Sequence, residues 1–120
     1  MNEFDQIVAQ YISVWNESDA GARRVAVDKL FAAEGRYIDP LTAAVGRDGI
    51  DAMIAGAQAQ FAGLTFSLAG TVDAHHDLAR FQWALGPAGG EAVAIGFDVV
   101  ERNADGQLTQ VLGFLDKMPG

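Results

Sequence analysis

The stretch Ala92-Val-Ala-Ile-Gly-Phe-Asp-Val-Val100 decides the fold class, because it places a single acid within an apolar strand pattern. Its β-branched and aromatic residues are typical of a strand, in which successive side chains point to opposite faces of the sheet. Asp98 therefore shares a face with Ala94, Gly96 and other small residues. This predicts a cavity in which the carboxyl has a raised pKa and can donate a proton or a hydrogen bond. An exposed edge strand with Asp98 in water is the alternative.

The opposite face of the same strand is apolar throughout. It consists of Val93, Ile95, Phe97 and Val99. Only one face of the sheet can pack against helices, and solvent does not suit so many large apolar side chains. We therefore expect the outer sheet face to be buried in a homodimer, with ordinary surface apolarity as the alternative.

Composition favours one domain over residues 1–120. Half of the 120 residues are hydrophobic, which is enough for one core. The net charge of -8 argues against nucleic acid or an anionic membrane surface as a partner. The chain has no cysteine, which excludes disulfides and thiolate catalysis. It has neither a signal-peptide pattern nor a membrane-spanning apolar run, so a cytoplasmic location is expected.

The first half of the chain carries three helical patterns. Apolar residues recur at helical spacing over residues 4–15, 27–31 and 50–61. Ser18 or Asp19 can cap the second helix, because their side-chain oxygens can accept a hydrogen bond from the first helical turn. The sequence thus predicts three N-terminal helices.

The second half reads as consecutive strands. Gly35 is expected to end the second helix, and Tyr37-Ile-Asp39 forms a short extended segment before Pro40. Four further strands are predicted, over residues 64–72, 78–85, 91–101 and 108–116. Helices followed by strands indicate an α+β fold, with the helices covering one face of an antiparallel sheet. A curved sheet of this kind leaves a pocket between the two layers.

Three polar groups are expected to converge on that pocket. Asp98 comes from its strand, Asp39 precedes Pro40, and Tyr11 lies on the apolar stripe of the first helix. A buried tyrosine hydroxyl needs a hydrogen-bond partner. The alternatives are a turn-forming Asp-Pro pair and a core tyrosine bonded to a backbone carbonyl.

Five aromatic residues are candidates for binding a ligand in the pocket. They are Trp15, Tyr37, Phe61, Phe66 and Trp83. Aromatic side chains supply large apolar contact surfaces, and simple core packing is the alternative for each.

Several motifs together resemble a known family. Tyr11-Ile-Ser-Val-Trp-Asn16, Tyr37-Ile-Asp-Pro40, Gly96-Phe-Asp98 and Phe114-Leu-Asp116 look like those of the NTF2-like superfamily, most closely its SnoaL-like branch. The resemblance implies a cystatin-like cone, in which three helices pack on a curved, mostly antiparallel sheet around a deep pocket, often in a dimer. The superfamily includes isomerases, dehydratases, epoxide hydrolases, polyketide cyclases and non-catalytic binders, so the fold does not settle the function.

Within that superfamily, the positions of Tyr11, Asp39 and Asp98 resemble the site of the bacterial ketosteroid isomerases. The resemblance implies that ionised Asp39 removes a proton beside a carbonyl, while Tyr11 and neutral Asp98 donate hydrogen bonds to the enolate oxygen. The substrate would be a small hydrophobic carbonyl compound, and this chemistry requires no metal and no cofactor. Ala94 and Gly96 are expected to leave space where a steroid site would have apolar walls.

Three other readings remain open. A hydratase or dehydratase would need His75 or His76 to point into the pocket, although both lie in a predicted turn. Adjacent histidines on a strand point to opposite faces, which does not favour a metal site. An epoxide hydrolase of this superfamily would need an arginine and an aspartate two positions apart on a strand. Here Gln82, which is not an acid, stands two positions after Arg80. A non-catalytic protein that binds a small apolar ligand is the third reading.

Overall fold

The chain forms three helices and six strands in the computed structural model, which describes residues 3–118. In chain order these are α1 (Glu3–Asn16), α2 (Ala20–Leu30), β1 (Phe31–Ile38), β2 (Ala43–Val45), α3 (Gly46–Gln60), β3 (Thr65–His75), β4 (Leu78–Gly86), β5 (Ala94–Arg102) and β6 (Leu108–Lys117). The α+β class predicted from the sequence is confirmed.

The six strands form one sheet in the order β2-β1-β6-β5-β4-β3. All neighbours pair antiparallel except β1 and β6, which run parallel. The last strand therefore lies inside the sheet, between the first strand and β5. This arrangement brings the end of β1, where Asp39 follows, next to the middle of β6.

The helices cover one face of this sheet. The stripe of α1 buries Phe4, Ile7, Val8, Tyr11, Val14 and Trp15. Asp19 caps α2 by accepting a hydrogen bond from the Ala22 N–H over 2.8 Å. Helix α1 lies against β3, and α3 lies against β1, so a space remains between the two helices and the centre of the sheet. No helix within residues 3–118 has the length and apolarity needed to cross a membrane.

The two faces of β5 differ as the sequence predicts. Ala94, Gly96, Asp98 and Val100 are buried beneath the helices, whereas the alternate residues from Ile95 to Val99 are only half buried. The alternation follows from the two-residue period of a strand. Asp98 is 1% exposed, so the alternative of an edge strand in water is wrong.

The predicted end of the second helix at Gly35 is also wrong. Helix α2 ends at Leu30, and Gly35 lies within β1 at an irregularity in the pairing with β6. A Cβ at Gly35 would come within 3.1 Å of the carbonyl oxygens of Ala32 and Leu108. Residues 32–34 have good helix propensity, and strand pairing overrides it here.

Strand β3 is longer than predicted and contains a bulge. It continues to His75, and three residues, Gly70 to Val72, oppose the single residue Phe81 of β4. Gly70 has a positive φ of 78°, a conformation that suits a bulge. Conversely, β5 begins at Ala94 rather than at residue 91, and residues 91–93 belong to the connection from β4.

Candidate functional site

A cavity of about 410 Å³ lies between α1, α3 and the inner sheet face. All five aromatic residues predicted to bind a ligand line it, and these are Trp15, Tyr37, Phe61, Phe66 and Trp83. Tyr11 and Asp39 line it as well. The structure thus brings seven of the eight predicted site residues to one cavity, and the eighth is Asp98.

Four of the aromatic side chains, those of Trp15, Tyr37, Phe66 and Trp83, form a continuous aromatic wall. The ring of Trp15 lies 5.7 Å from that of Tyr37 and 5.4 Å from that of Phe66, measured between centroids. Phe66 in turn contacts Trp83 edge-to-face, with the centroids 5.4 Å apart. These tilted arrangements are favourable for aromatic pairs and hold the wall in one geometry.

Asp98 is buried and hydrogen-bonded to Tyr11. The Tyr11 hydroxyl donates to Asp98 Oδ2 over 2.9 Å, and both side chains are buried. Asp98 is not among the lining residues, so its predicted direct contact with a ligand stays a prediction. Tyr11, the hydrogen-bond partner of this carboxyl group, does line the cavity.

The surroundings of Asp98 favour its neutral form. The pKa of Asp98 is raised to about 6, mainly by burial and to a lesser extent by the negative charge of Asp39, against the lowering effect of hydrogen bonding from Tyr11 and the Trp83 indole. Asp98 Oδ1 has no hydrogen-bond partner among the described residues. Burial, together with the nearby Asp98 carboxyl, also raises the pKa of Tyr11 well above its usual value, so this phenol keeps its proton.

Asp39 is held by three donors at the edge of the cavity. Its Oδ1 accepts hydrogen bonds from the backbone N–H groups of Leu41 and Thr42, over 2.8 and 2.9 Å. Its Oδ2 accepts a hydrogen bond from the Tyr37 hydroxyl over 2.6 Å. The turn after β1 is therefore built on Asp39, as expected for an Asp-Pro pair, yet the carboxylate still lines the cavity. The turn-forming and site readings of Asp39 are both compatible with this structure.

The two acids approach each other across Gly113 of β6. Asp98 pairs with Gly113 in the antiparallel register, and Asp39 follows the strand on the other side. A Cβ at Gly113 would come within 2.9 Å of Asp98 Oδ1 and 3.1 Å of Asp39 Cβ. Gly113 therefore leaves room for the side chains of both acids to approach β6, and the sequence did not reveal this because nothing local marks the contact.

The predicted empty space at Gly96 is filled. A Cβ there would come within 2.0 Å of Cζ2 of Trp83, whose indole lies against the backbone of β5. The small residue thus accommodates an aromatic ring rather than leaving a void. Ala94 does line the cavity, as its small size suggested.

Several lining residues were missed in the sequence. They include Leu41, Thr42, Gly56, Gln60, Leu115 and Met118. Helix α3 contributes positions 53, 56, 57 and 60, whose spacing of three and four marks one helical face. The helical spacing of apolar residues over 50–61 predicted an apolar face of this helix, but periodicity does not show that part of the face lines a cavity.

The remaining candidates lie away from the cavity. His75 and His76 are exposed at the turn between β3 and β4. Arg80 forms an ion pair with Asp73 over 3.0 Å on the opposite, outer side of the sheet. Within residues 3–118, no three acid or histidine side chains lie close enough together to hold a metal ion.

Comparison with known proteins agrees with this architecture. A SnoaL-like protein from Agrobacterium tumefaciens, described provisionally as an isomerase, has 43% identity and a TM-score of 0.92, with 97% of this chain and 99% of that chain covered. A provisional SnoaL-like polyketide cyclase from Jannaschia has 19% identity and a TM-score of 0.70, with coverage of 93% and 86%. A Catenulispora acidiphila protein with a ketosteroid isomerase-like fold has 17% identity and a TM-score of 0.71, with coverage of 89% and 82%.

The distant neighbours establish the NTF2-like fold alone, because their identities are low. A comparison with curated proteins gives no match. Residues 8–111, most of the chain, match the SnoaL-like domain family. The protein is therefore a member of the SnoaL-like family.

Proposed function

We propose that the protein is an enzyme that transfers a proton through an enolate on a small, hydrophobic carbonyl compound. One observation carries this proposal: a carboxylate, Asp39, and a phenol that keeps its proton, Tyr11, line the same largely apolar cavity. Enolate chemistry needs a base beside the carbon and a hydrogen-bond donor at the oxygen. The similarity to a provisional isomerase from Agrobacterium tumefaciens supports the same class of reaction.

In the proposed reaction, Asp39 takes a proton from the carbon next to the carbonyl group. Its Oδ2 is the accepting atom, because Oδ1 already receives two hydrogen bonds and Oδ2 receives only one. The electron pair of the broken C–H bond moves to the carbonyl oxygen, to which Tyr11 donates a hydrogen bond. Asp39 then returns the proton at a conjugated carbon and completes an isomerisation. In a cyclisation, the enolate carbon would instead attack a second carbonyl of the same molecule.

Asp98 acts through Tyr11 in this scheme and is a positioning residue. The Tyr11 hydroxyl has one proton, and an ionised Asp98 would hold that proton in their 2.9 Å hydrogen bond. A neutral Asp98 can donate its own proton to the Tyr11 oxygen instead, which frees the phenol to donate into the cavity. The buried Oδ1, which has no hydrogen-bond partner within residues 3–118, supports the neutral form.

The decisive experiment is an isomerisation assay with a β,γ-unsaturated 3-ketosteroid, in which conjugation of the double bond produces a new ultraviolet absorbance. Asp39→Asn keeps an oxygen for the backbone of the turn but removes the base, and we expect turnover to fall about 10²–10⁴-fold. Tyr11→Phe removes the donor, with an expected loss of about 10²–10³-fold. Asp105→Asn, on an exposed turn, is the matched control and should keep full turnover.

The second candidate function is a non-catalytic protein that binds a small apolar ligand. The aromatic wall would serve this role equally well. If Asp39→Asn abolishes turnover while ligand binding survives, the binding-only reading fails. If neither substitution changes turnover, or if the wild type has none, the enolate proposal fails. A hydratase has less support, since both histidines are exposed and neither lines the cavity.

We also infer that two copies of the chain associate through the outer sheet face. Phe114 is 57% exposed there and Ile38 is 51% exposed, although both are large apolar residues. The rings of Phe97 and Phe114 lie side by side, with centroids 6.4 Å apart. A contiguous apolar patch of this kind is typical of a surface that another protein covers.

A further inference from the structure

Among the described residues, the lining of the cavity carries a negative charge and no positive charge. Asp39 is the only charged residue that lines it within the described part of the chain. The other polar lining groups are neutral, from Tyr11, Tyr37, Thr42 and Gln60. No lysine, arginine or histidine of residues 3–118 is among the lining residues, so a ligand in the cavity meets a negative charge with no positive one beside it.

Three cationic side chains on the surrounding elements are engaged elsewhere. Arg23 of α2, which is 7% exposed, pairs with Asp51 over 2.9 Å. Arg47 of α3 donates to the backbone carbonyl of Phe31 over 2.9 Å. Lys117, at the end of β6, donates to a backbone carbonyl over 2.8 Å. None of them supplies a counter-charge to the cavity.

An anionic ligand would therefore be disfavoured twice. It would lose its hydration on entering an apolar cavity, and it would gain no ion pair in return. It would also be repelled by Asp39, and by Asp98 whenever that acid ionises. The aromatic wall of Trp15, Phe66 and Trp83 adds to the effect, because the faces of aromatic rings carry partial negative charge and attract cations.

We propose that this cavity selects its ligand by charge, accepting uncharged or amine-bearing carbonyl compounds and rejecting carboxylates and phosphates of the same shape. The inference deepens the proposed function, because it takes the carbonyl class and the site from there. It excludes substrates carried as free acids or as phosphate esters within the cavity. The reaction that supplies the substrate must then deliver a neutral ketone or an amino ketone, with any acidic group already removed or esterified.

The test is equilibrium binding of three probes with one bicyclic shape and different charge, measured by calorimetry at about pH 7.5, where the acid and the amine are both ionised. The probes are 2-acetylnaphthalene, which is neutral, 2-naphthoate, which is anionic, and 2-(aminomethyl)naphthalene, which is cationic. We expect naphthoate to bind about tenfold or more weakly than the ketone, and the amine to bind at least as tightly as the ketone. The order should persist at high salt, because a charge inside the cavity is screened less than a surface charge.

Two variants identify the cause. Asp39→Asn should improve naphthoate binding and weaken amine binding, because it removes the lining charge. Gln60→Lys adds a cation to the lining and should do the same, whereas Gln60→Met, the matched neutral control, should leave the order of the three probes unchanged. Gln60 is exposed at the end of α3, so neither substitution disturbs the core.

Naphthoate binding as tight as that of the ketone, or no binding of any probe, would overturn the proposal. The outcome is separable from that of the turnover assay. The expected binding order without any isomerase turnover would leave charge selection standing and remove the enzymatic proposal. Turnover of the ketosteroid together with naphthoate binding more tightly than the ketone would keep the enzymatic proposal and remove charge selection.

Discussion

The Trp83 indole lies directly against the backbone of Gly96, so that a Cβ at Gly96 would come within 2.0 Å of the ring. The two residues are paired across β4 and β5, and the ring faces the cavity from this position. An alanine methyl group would have to displace either the indole or the strand. The contact therefore fixes both the width of the cavity and the position of its aromatic wall.

Gly96→Ala should destabilise the protein by about 3 kcal/mol, because overpacking a rigid ring against backbone leaves no easy relaxation. The free energy of unfolding in urea, followed by tryptophan fluorescence and circular dichroism, measures the effect. Gly56→Ala is the control, since Gly56 lies on a helix with nothing within 4 Å of its added Cβ. That change should stabilise the protein by up to about 1 kcal/mol. Equal effects of the two substitutions would contradict the contact.

The buried carboxyl of Asp98 should make stability depend on pH. Burial raises its pKa in the folded protein to about 6, above the value in the unfolded chain. The folded protein therefore binds the proton more tightly, and the stabilisation is complete below the unfolded pKa and is lost as the pH rises through about 6. The difference between the ordinary pKa of 3.8 and the raised pKa of about 6 corresponds to a loss of roughly 3 kcal/mol in the free energy of unfolding between pH 3.5 and pH 8.

Asp98→Asn isolates this contribution, because the amide cannot ionise and can still accept from Tyr11. The measured quantity is the difference in unfolding free energy between the wild type and the variant across that pH range. We expect the wild type to lose stability relative to the variant as pH rises. A difference that does not change with pH would contradict the raised pKa of Asp98. Asp105→Asn, an exposed acid, controls for general charge effects.

The same substitution should change the pH dependence of turnover. The proposed reaction needs neutral Asp98, so kcat/KM should decrease as the pH rises through about 6, the pKa of this group in the free protein. In Asp98→Asn, the amide N–H can donate to the Tyr11 oxygen at every pH, and the decrease should disappear. Retention of an unchanged decrease in the variant would assign that ionisation to another group.

Asn16 joins the end of α1 to the edge strand of the sheet. Its side-chain amide donates to the Phe66 carbonyl and accepts from the Phe66 N–H, each over 2.8 Å, as a neighbouring strand would do. Asn16→Ala should lower the free energy of unfolding by about 1–2 kcal/mol, through the loss of both bonds. Asn16→Asp keeps the accepting oxygen but not the donor, so its effect should be intermediate. Urea unfolding of the three proteins tests this order.

The proposed association through the outer sheet face can be tested with Phe114→Asp. A charge at this exposed position should separate the copies, because it would be buried without a partner in the interface. Light scattering coupled to size-exclusion chromatography should give the mass of two chains for the wild type and of one chain for the variant. Val25→Asp, at an equally exposed apolar position on α2, should remain dimeric. A monomeric wild type would contradict the association.

Periodicity accounts for the part of the fold that could be predicted. The stripe of α1 and the alternation of β5 are encoded by neighbouring residues, so Tyr11 and Asp98 stand out as polar groups on apolar faces. The strand character of Phe31 could not be inferred in this way. It comes from parallel pairing with β6, more than seventy residues later in the chain. Local helix propensity predicts the opposite.

In the candidate site, too, features marked by neighbouring residues could be predicted, and features that depend on distant strand pairing could not. Asp39 could be identified because Pro40 marks its turn, whereas the approach of both acids to Gly113 depends on strand order alone. Arg23 could not be identified as a buried residue either. Arginine is rarely buried without partners, and here it pairs with Asp51 and donates to Gln58, each over 2.9 Å. A buried charge is tolerated where such partners exist, and only the tertiary structure supplies them.

The interior position of β6 has a consequence for how the chain folds during its synthesis. This strand emerges last from the ribosome among the six, yet it joins β1 to β5. Until it arrives, both of those strands keep an open edge, which is a template for pairing with another chain. The sheet is therefore completed only when β6 inserts between β1 and β5. Removal of that strand would divide the sheet in two rather than shorten it.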